Sequence, residues 1–140
     1  MQDLENDPRL LLIAFPKKEG ELKDMLTKTF QKVKEFVQAS IKKKYGRIIF
    51  LIAEQANGIG FDPDKDNDNA LFYAMQGGLV GFSKTITKEY SKKNIFSNVI
   101  YINWQETNLE QVAKLIKFTL NESIDDLRGQ VFALDQGKWL

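Results

Sequence analysis

The sequence predicts an α/β fold built on a parallel sheet, and three observations carry that reading. Four short apolar runs, Leu10–Phe15, Ile48–Ala53, Asn98–Ile102 and Gln130–Leu134, alternate with three longer amphipathic stretches. The first two runs, LLLIAF and IIFLIA, are continuously apolar, the pattern of strands covered on both faces. The resulting order, βαβαβαβ, favours right-handed crossovers and hence parallel pairing. The 140 residues hold no internal repeat, low-complexity tract or linker, so 1–140 reads as a single domain.

Each element has a local reason. Leu10–Phe15 is broken by Pro16 and Gly20. Glu21–Tyr45 then places Leu22, Met25, Leu26, Phe30, Val33, Phe36, Val37 and Ile41 at helical spacing on one broad stripe. Lys42, Lys43 and Lys44 fall in its last turn, where cations suit the helix dipole, and Gly46 is the expected stop. Ile48–Ala53 is the second strand, followed by a polar Gly- and Asp-rich loop, Glu54–Asn69. Ala70–Lys92 reads as the second helix, with Asp68 or Asn69 offered as N-cap. Asn98–Ile102 is the third strand. Leu109–Leu120 is the third helix, with Val112, Leu115, Ile116 and Phe118 among its apolar positions, and Gln130–Leu134 is the last strand.

Composition narrows the chemistry. Hydrophobic residues make up 43% and charged residues 28%, ordinary for a globular protein. A formal net charge of +1 gives no steering toward nucleic acid or acidic membranes. The absence of cysteine excludes disulfides, thiolate metal sites and cysteine nucleophiles. The absence of histidine removes the usual general base and the commonest metal ligand. The N-terminal MQDLENDPR is acidic and polar, unlike a signal peptide. No apolar run reaches the ~20 residues of a membrane span, so the expected location is cytoplasmic.

The stretch Phe72–Asn103, FYAMQGGLVGFSKTITKEYSKKNIFSNVIYIN, resembles the catalytic helix and following strand of the short-chain dehydrogenase/reductase family, most closely its ketoacyl reductases. In that family the helix opens with a YxxxK pair and continues into a GF(S/T)K run, matched here by Gly78, Gly81, Phe82 and Lys84. GRII at Gly46–Ile49 resembles the opening of the family's serine-bearing strand, NIFSNVIYIN its "gIrVNavaPG" strand, and LRGQVFALDQG its closing "itGqvl.vDGG". The resemblance runs from about Arg9 to Leu140. It implies a partial Rossmann-like, doubly wound parallel sheet of about four strands and three helices, truncated to the C-terminal half. The family's TGxxxGxG turn and its dinucleotide-binding half have no counterpart, and its NNAG turn is replaced by Ala14-Phe15-Pro16. The only Gly-x-Gly, Gly58-Ile59-Gly60, precedes an acidic loop rather than a helix and reads as a flexible loop.

The resemblance also locates the family's four catalytic positions. Its tyrosine acts as general acid/base, its lysine lowers the tyrosine pKa and holds the nicotinamide ribose, its serine orients the carbonyl, and its asparagine holds a relay water. Those positions fall on Phe72, Gln76, Ala53 and Met25, the last to within a turn. None carries the needed proton or charge. Tyr73 points about 100° around the helix from Phe72, and its i+4 neighbour is Gly77. The family's substrate lid is shortened to Trp104-Gln105-Glu106-Thr107, and Pro-Gly is replaced by Ile102-Asn103. Expectations follow of no catalytic residues, no cofactor and no metal site.

The remaining features read as structural. Asp62, Asp64, Asp66 and Asp68 alternate like the start of a calcium loop, but Asn69 and Met75 stand where Gly and a bidentate Glu belong. Lys42–Arg47 reads as a helix end entering a strand, and Trp104 and Trp139 as core or interface anchors. Leu10–Phe15 is expected to be an apolar edge strand, and the sheet face opposite the first two helices to carry only the third. Self-association through the two longer helices is therefore expected, as a homodimer or a heteromer with an intact reductase, with Phe30, Phe36, Leu79 and Phe82 as interface candidates. The functional expectation is a catalytically inactive scaffold or interaction subunit. The alternatives are a ketoreductase-type subunit whose cofactor half comes from a partner, or a small-ligand module near Trp104 and the Asp-rich loop.

Overall fold

A computed structural model describes residues 1–58, 60–121 and 127–134. Four strands, β1 (Leu10–Ala14), β2 (Gly46–Ala53), β3 (Ile95–Ile102) and β4 (Val131–Ala133), form one sheet in chain order with every pair parallel. A single-turn helix, α1 (Gln2–Glu5), precedes β1. The crossover helices are α2 (Leu22–Lys43), α4 (Ala70–Tyr90) and α5 (Leu109–Thr119), with a second single turn, α3 (Pro63–Asp66), ahead of α4. This is the α/β, partial Rossmann-like sheet in βαβαβαβ order that the sequence predicts.

Side-chain alternation along the strands divides the core into two layers. Ile13, Ile48, Phe50, Ile52, Val99 and Tyr101 point to the face covered by α2 and α4. Leu10, Ile49, Leu51, Ile100 and Ile102 point to the other, where Val112 and Ile116 of α5 meet them. Leu4 of α1 is buried in this second layer, so α5 does not cover it alone as expected. Every residue of β2 and β3 is buried, which makes them the central strands. A fully buried aliphatic side chain contributes ~1.5–3 kcal/mol, so these two strands dominate the stability.

Both central strands begin earlier than their apolar runs, because tertiary contacts satisfy their polar residues. Arg47 of β2 is buried with its guanidinium 4.1 Å from the ring centres of both Tyr45 and Phe96. It donates to the Gly46 carbonyl at 2.9 Å and the Asn94 carbonyl at 2.8 Å. Ser97 of β3 shares a 2.6 Å hydrogen bond with Ser83 of α4. Its backbone N–H donates to Thr87 Oγ1 at 2.8 Å, so a helix hydroxyl serves where no strand lies alongside.

Three local expectations are corrected. The helix stop is Lys44, not Gly46: Lys44 takes the left-handed conformation (φ 60°) and donates its N–H to Ser40. Gly46 instead opens β2 beneath the helix, where a Cβ would lie 2.5 Å from Ser40 Oγ and 2.7 Å from Ser40 Cβ. Neither Asp68 nor Asn69 caps α4 with its side chain, because residues 67–69 form a 3₁₀ turn that runs directly into the helix. Phe118, read as an apolar position of the third helix, is 50% exposed, while Val112 and Ile116 face the sheet.

Candidate functional site

In parallel α/β sheets the loops at the carboxyl ends of the strands build the site. Here a small pocket of about 110 Å³ opens at that end, with Phe15 and Pro16 after β1, Ala53 at the end of β2, and Asn103 and Trp104 after β3. Phe72 and Tyr73 reach it from the first turn of α4. Three of the four positions singled out in the sequence meet around it. Ala53 and Phe72 line the pocket, and Gln76, one turn further along α4, is 0% exposed beside them. Gln76 Oε1 accepts the Ala53 backbone N–H at 2.9 Å. Its side chain therefore ties α4 to the end of β2, and Gln76 Nε2 is buried with no hydrogen-bond partner among the described residues.

Met25 is not brought to this pocket. It is half-buried on α2 and lines a neighbouring cavity of about 180 Å³ with Lys17, Lys28, Thr29 and Lys32. Phe15 and Pro16 border both cavities.

Tyr73 is the ionisable side chain lining the pocket. Its ring lies 5.8 Å from Phe72 and 6.3 Å from Phe61. Burial pushes its phenol above the ordinary tyrosine range, and the Asp66 carboxylate adds to the shift. That is the wrong direction for a general base, which needs its phenolate stabilised by a cation. Burial raises Tyr101 as well.

Sequence reasoning missed two polar groups at this end of the sheet. Glu54, placed in a polar loop by its neighbours, is buried, and its Oε1 accepts from Asn103 Nδ2 at 2.8 Å. Asn103 also shapes the turn after β3, its Oδ1 accepting the N–H groups of Gln105 (2.9 Å) and Glu106 (3.1 Å). Asn108 then caps α5 by accepting from the Glu110 N–H at 2.8 Å. The connection from β3 to α5 is thus a tight turn, as its length implies. A charged residue immediately after an apolar strand run was the one available signal for Glu54. Trp104 lines the pocket with Nε1 buried and unpartnered among the described residues. Trp139 lies outside the described residues.

The Asp-rich loop folds on itself. Asp62 Oδ1 accepts the Asp64 N–H at 3.0 Å as the cap of α3, and the Asp62 N–H donates to Asp66 Oδ2 at 2.9 Å. Among the described residues no group of three acidic side chains gathers as a metal site would. No helix among them is long and apolar enough to cross a membrane.

The four interface candidates separate by exposure. Phe30 of α2 is 48% exposed and meets the half-buried Phe82 of α4 edge-on, with ring centres 5.0 Å apart. Both line an apolar groove of about 350 Å³ between the two helices, with Val33, Val37 and Ile86 in its floor. Phe36 is half-buried against the core beside Gly46. Leu79 is only 2% exposed and packs against the sheet, so it is corrected to a core residue. Of the α4 glycines, Gly77 is crowded by the Ala56 carbonyl, at 3.1 Å from a would-be Cβ, whereas Gly78 and Gly81 face open space.

No family model matches the chain. It is 26% identical over 156 residues to the 3-oxoacyl-[acyl-carrier-protein] reductase FabG of Buchnera aphidicola subsp. Schizaphis graminum, covering 93% of this chain and 62% of that protein. It is 30% identical over 87 residues to Escherichia coli FabG, covering 60% of this chain and 32% of that one. The chain spans less than two thirds of the length of these relatives. Among solved structures, 4-hydroxyisoleucine dehydrogenase complexed with NADH and succinate superposes with a TM-score of 0.70 at 19% identity, covering 95% of this chain and 71% of that one. A structure described as a putative 3-oxoacyl-reductase from Bacillus thuringiensis gives 0.61 at 21% identity, covering 84% and 56%. The structural likeness concerns the fold alone. Together with the sequence relatives it marks the chain as similar to short-chain dehydrogenase/reductase proteins over part of their length.

Proposed function

We propose that this short-chain dehydrogenase/reductase-like chain has no reductase chemistry of its own and acts as a self-associating interaction subunit. The observation that carries the reading is Gln76, fully buried and bonded to the Ala53 N–H, with Phe72 as its neighbour at the pocket. A carbonyl bound there would meet no proton donor on Phe72 or Ala53 and no ammonium on Gln76. Tyr73 does not compensate, since its proton is held more tightly than in water. The described residues also do not suit a nicotinamide dinucleotide. β1 is followed by Phe15-Pro16 rather than a glycine-rich turn, and Gly60 is packed against the Glu54 carbonyl. The test is to mix the purified chain with NADPH or NADH and a β-ketoacyl thioester. No cofactor binding and no reduction above the blank are expected; reduction that rises with protein concentration overturns the reading.

The interaction surface in this reading is the α2–α4 groove, with Phe30 and Phe82 as its apolar anchors. Gly78 and Gly81 leave room for another helix to approach, which supports a homodimer or a heteromer with an intact reductase across these helices. A second reading, a small-ligand module, draws on one observation: the buried, unpartnered Trp104 Nε1 beside the 110 Å³ pocket. A thermal-shift screen of small hydrogen-bond acceptors tests it; a ligand that stabilises the wild type and not Trp104→Phe supports it.

A further inference from the structure

Asn57 is the only asparagine of this chain that is followed by glycine. The others precede residues with a Cβ, and several are held by their own side chains. Asn98 Nδ2 donates to the Leu127 carbonyl at 2.9 Å, and its Oδ1 accepts the Gln130 N–H at 2.8 Å. Asn94 Nδ2 donates to the Lys44 carbonyl at 3.1 Å, and Asn103 and Asn108 are bonded as described above. Asn67 and Asn69 are exposed, but they precede Asp68 and Ala70. The Asn57 side chain has no hydrogen bond among the described residues. Asn57 closes a single 3₁₀ turn, Glu54–Asn57, that leaves the end of β2. Gly58 follows at φ 70° and ψ −38°, exposed, and its N–H also has no hydrogen bond among the described residues. A backbone nitrogen and a side-chain amide carbon thus stand on neighbouring residues with neither held in place. Glycine brings no Cβ to crowd their approach and turns freely through the backbone angles that ring closure needs. The hydrogen bonds of a 3₁₀ turn are poorly aligned, so its last residue rotates out at little cost.

We propose that Asn57 and Gly58 form a site of spontaneous deamidation and isoaspartate formation in the folded chain. The Gly58 backbone nitrogen gives its proton to solvent base and attacks Asn57 Cγ. The new N–Cγ bond displaces Nδ2, which leaves as ammonia, and a succinimide ring closes. Water then opens the ring at one of its two carbonyls. Breaking the new N–Cγ bond leaves an aspartate side chain on an ordinary main chain. Breaking the original peptide bond instead leaves an isoaspartate, with the main chain rerouted through Cβ. No oxidant or reductant is consumed: nitrogen leaves as ammonia and oxygen enters from water. Either product carries one new carboxylate, so the formal net charge falls by one unit from +1 to zero. The change falls beside the Ala56 carbonyl, which is packed against Gly77 of α4, and close to Gln55 at the rim of the small pocket. The isoaspartate lengthens the main chain within that turn, so the seat of the turn on α4 loosens in the modified chain. The site lies in the connection after β2 and does not depend on the functional reading above.

The test ages the purified full chain in mildly alkaline buffer and follows it by tryptic mapping. Peptide 48–65 carries Asn57, and peptide 66–84, with Asn67 and Asn69, serves as the internal control. The first peptide should gain the mass of one deamidation and split into two isomers, of which the isoaspartyl form accepts label from an isoaspartate methyltransferase. Isoelectric focusing should show the matching acidic band. Gly58→Ala should slow the gain about tenfold, because the added Cβ crowds the attacking nitrogen and restricts the turn. Asn57→Gln should abolish the gain, because the longer side chain closes a larger and slower ring. If Gly58→Ala does not fold, Asn57→Gln carries the test, since it keeps the amide and leaves the backbone as it is. The folded wild type should deamidate within about tenfold of its rate in urea, since an unheld turn opens at almost no cost. A gain in peptide 48–65 no faster than in 66–84, or one that persists in Asn57→Gln, overturns the proposal. A folded Gly58→Ala variant with the wild-type rate overturns it as well, as does a folded wild type that reacts only as fast as it unfolds.

Discussion

Gln76 Oε1 and the Ala53 N–H meet at 2.9 Å with neither residue open to solvent. Replacing Gln76 with leucine leaves a buried peptide N–H without a partner, an omission that costs ~1–3 kcal/mol. Urea unfolding of Gln76→Leu is expected to show a loss of that size, while Gln76→Glu adds a buried charge and loses more. If leucine is neutral, the tie between α4 and β2 is not structural. The phenol of Tyr73 makes a second prediction. Its pKa is raised in the folded state by burial and by Asp66, so the folded chain holds this proton more tightly than the unfolded one. The associated stability is intact below the ordinary tyrosine pKa of about 10 and is lost as pH rises from there through the folded value. Tyr73→Phe should remove a late-titrating phenolate component and flatten that alkaline loss. A Tyr73 phenolate appearing below the ordinary range would contradict the desolvated pocket.

At the scale of the element, the junction of α2 and β2 shows how local rules are overridden. A glycine would suit the left-handed position, yet Lys44 occupies it and Gly46 lies two residues on. Gly46 is required for a different reason, the close pass of β2 beneath Ser40. Lys44→Gly should therefore stabilise the protein by ~0.5–1 kcal/mol in thermal or denaturant unfolding, since glycine adopts φ > 0 without strain. Gly46→Ala should destabilise by ~1–3 kcal/mol through overpacking. Equal effects at the two positions would refute this division of roles. Helix α2 carries the apolar stripe its spacing predicts. Which interface candidates face the sheet and which face outward was set by packing: Leu79 went in and Phe30 stayed out.

For the whole molecule, the proposed association rests on the groove between α2 and α4. Phe30→Glu places a charge in an apolar groove whose floor is Val33, Val37 and Ile86. It is expected to weaken groove-mediated association at least tenfold in a dilution series followed by light scattering, roughly the ~1.4 kcal/mol that one such buried charge exceeds. At the dilute end of that series Phe30→Glu should run at the 16.1 kDa of one chain. A Phe30→Glu variant that stays oligomeric there would overturn the groove as the interface.

The sequence by itself determined the strand–helix alternation, the parallel sheet and the absence of an ionisable group at positions 53, 72 and 76. These depend on residue identity and short-range periodicity, which remain legible without coordinates. Only the tertiary structure decided that Arg47 and Glu54 are buried, that Gln76 is bonded to a backbone group 23 residues away, and that Met25 falls in a different cavity from the other three positions. It also decided which backbone groups of β1 face β2 and which face away from it. The physical reason is common to all of them. A buried polar group is tolerated only where a distant partner satisfies it, and the identity of that partner is a property of the packed chain rather than of any window along it.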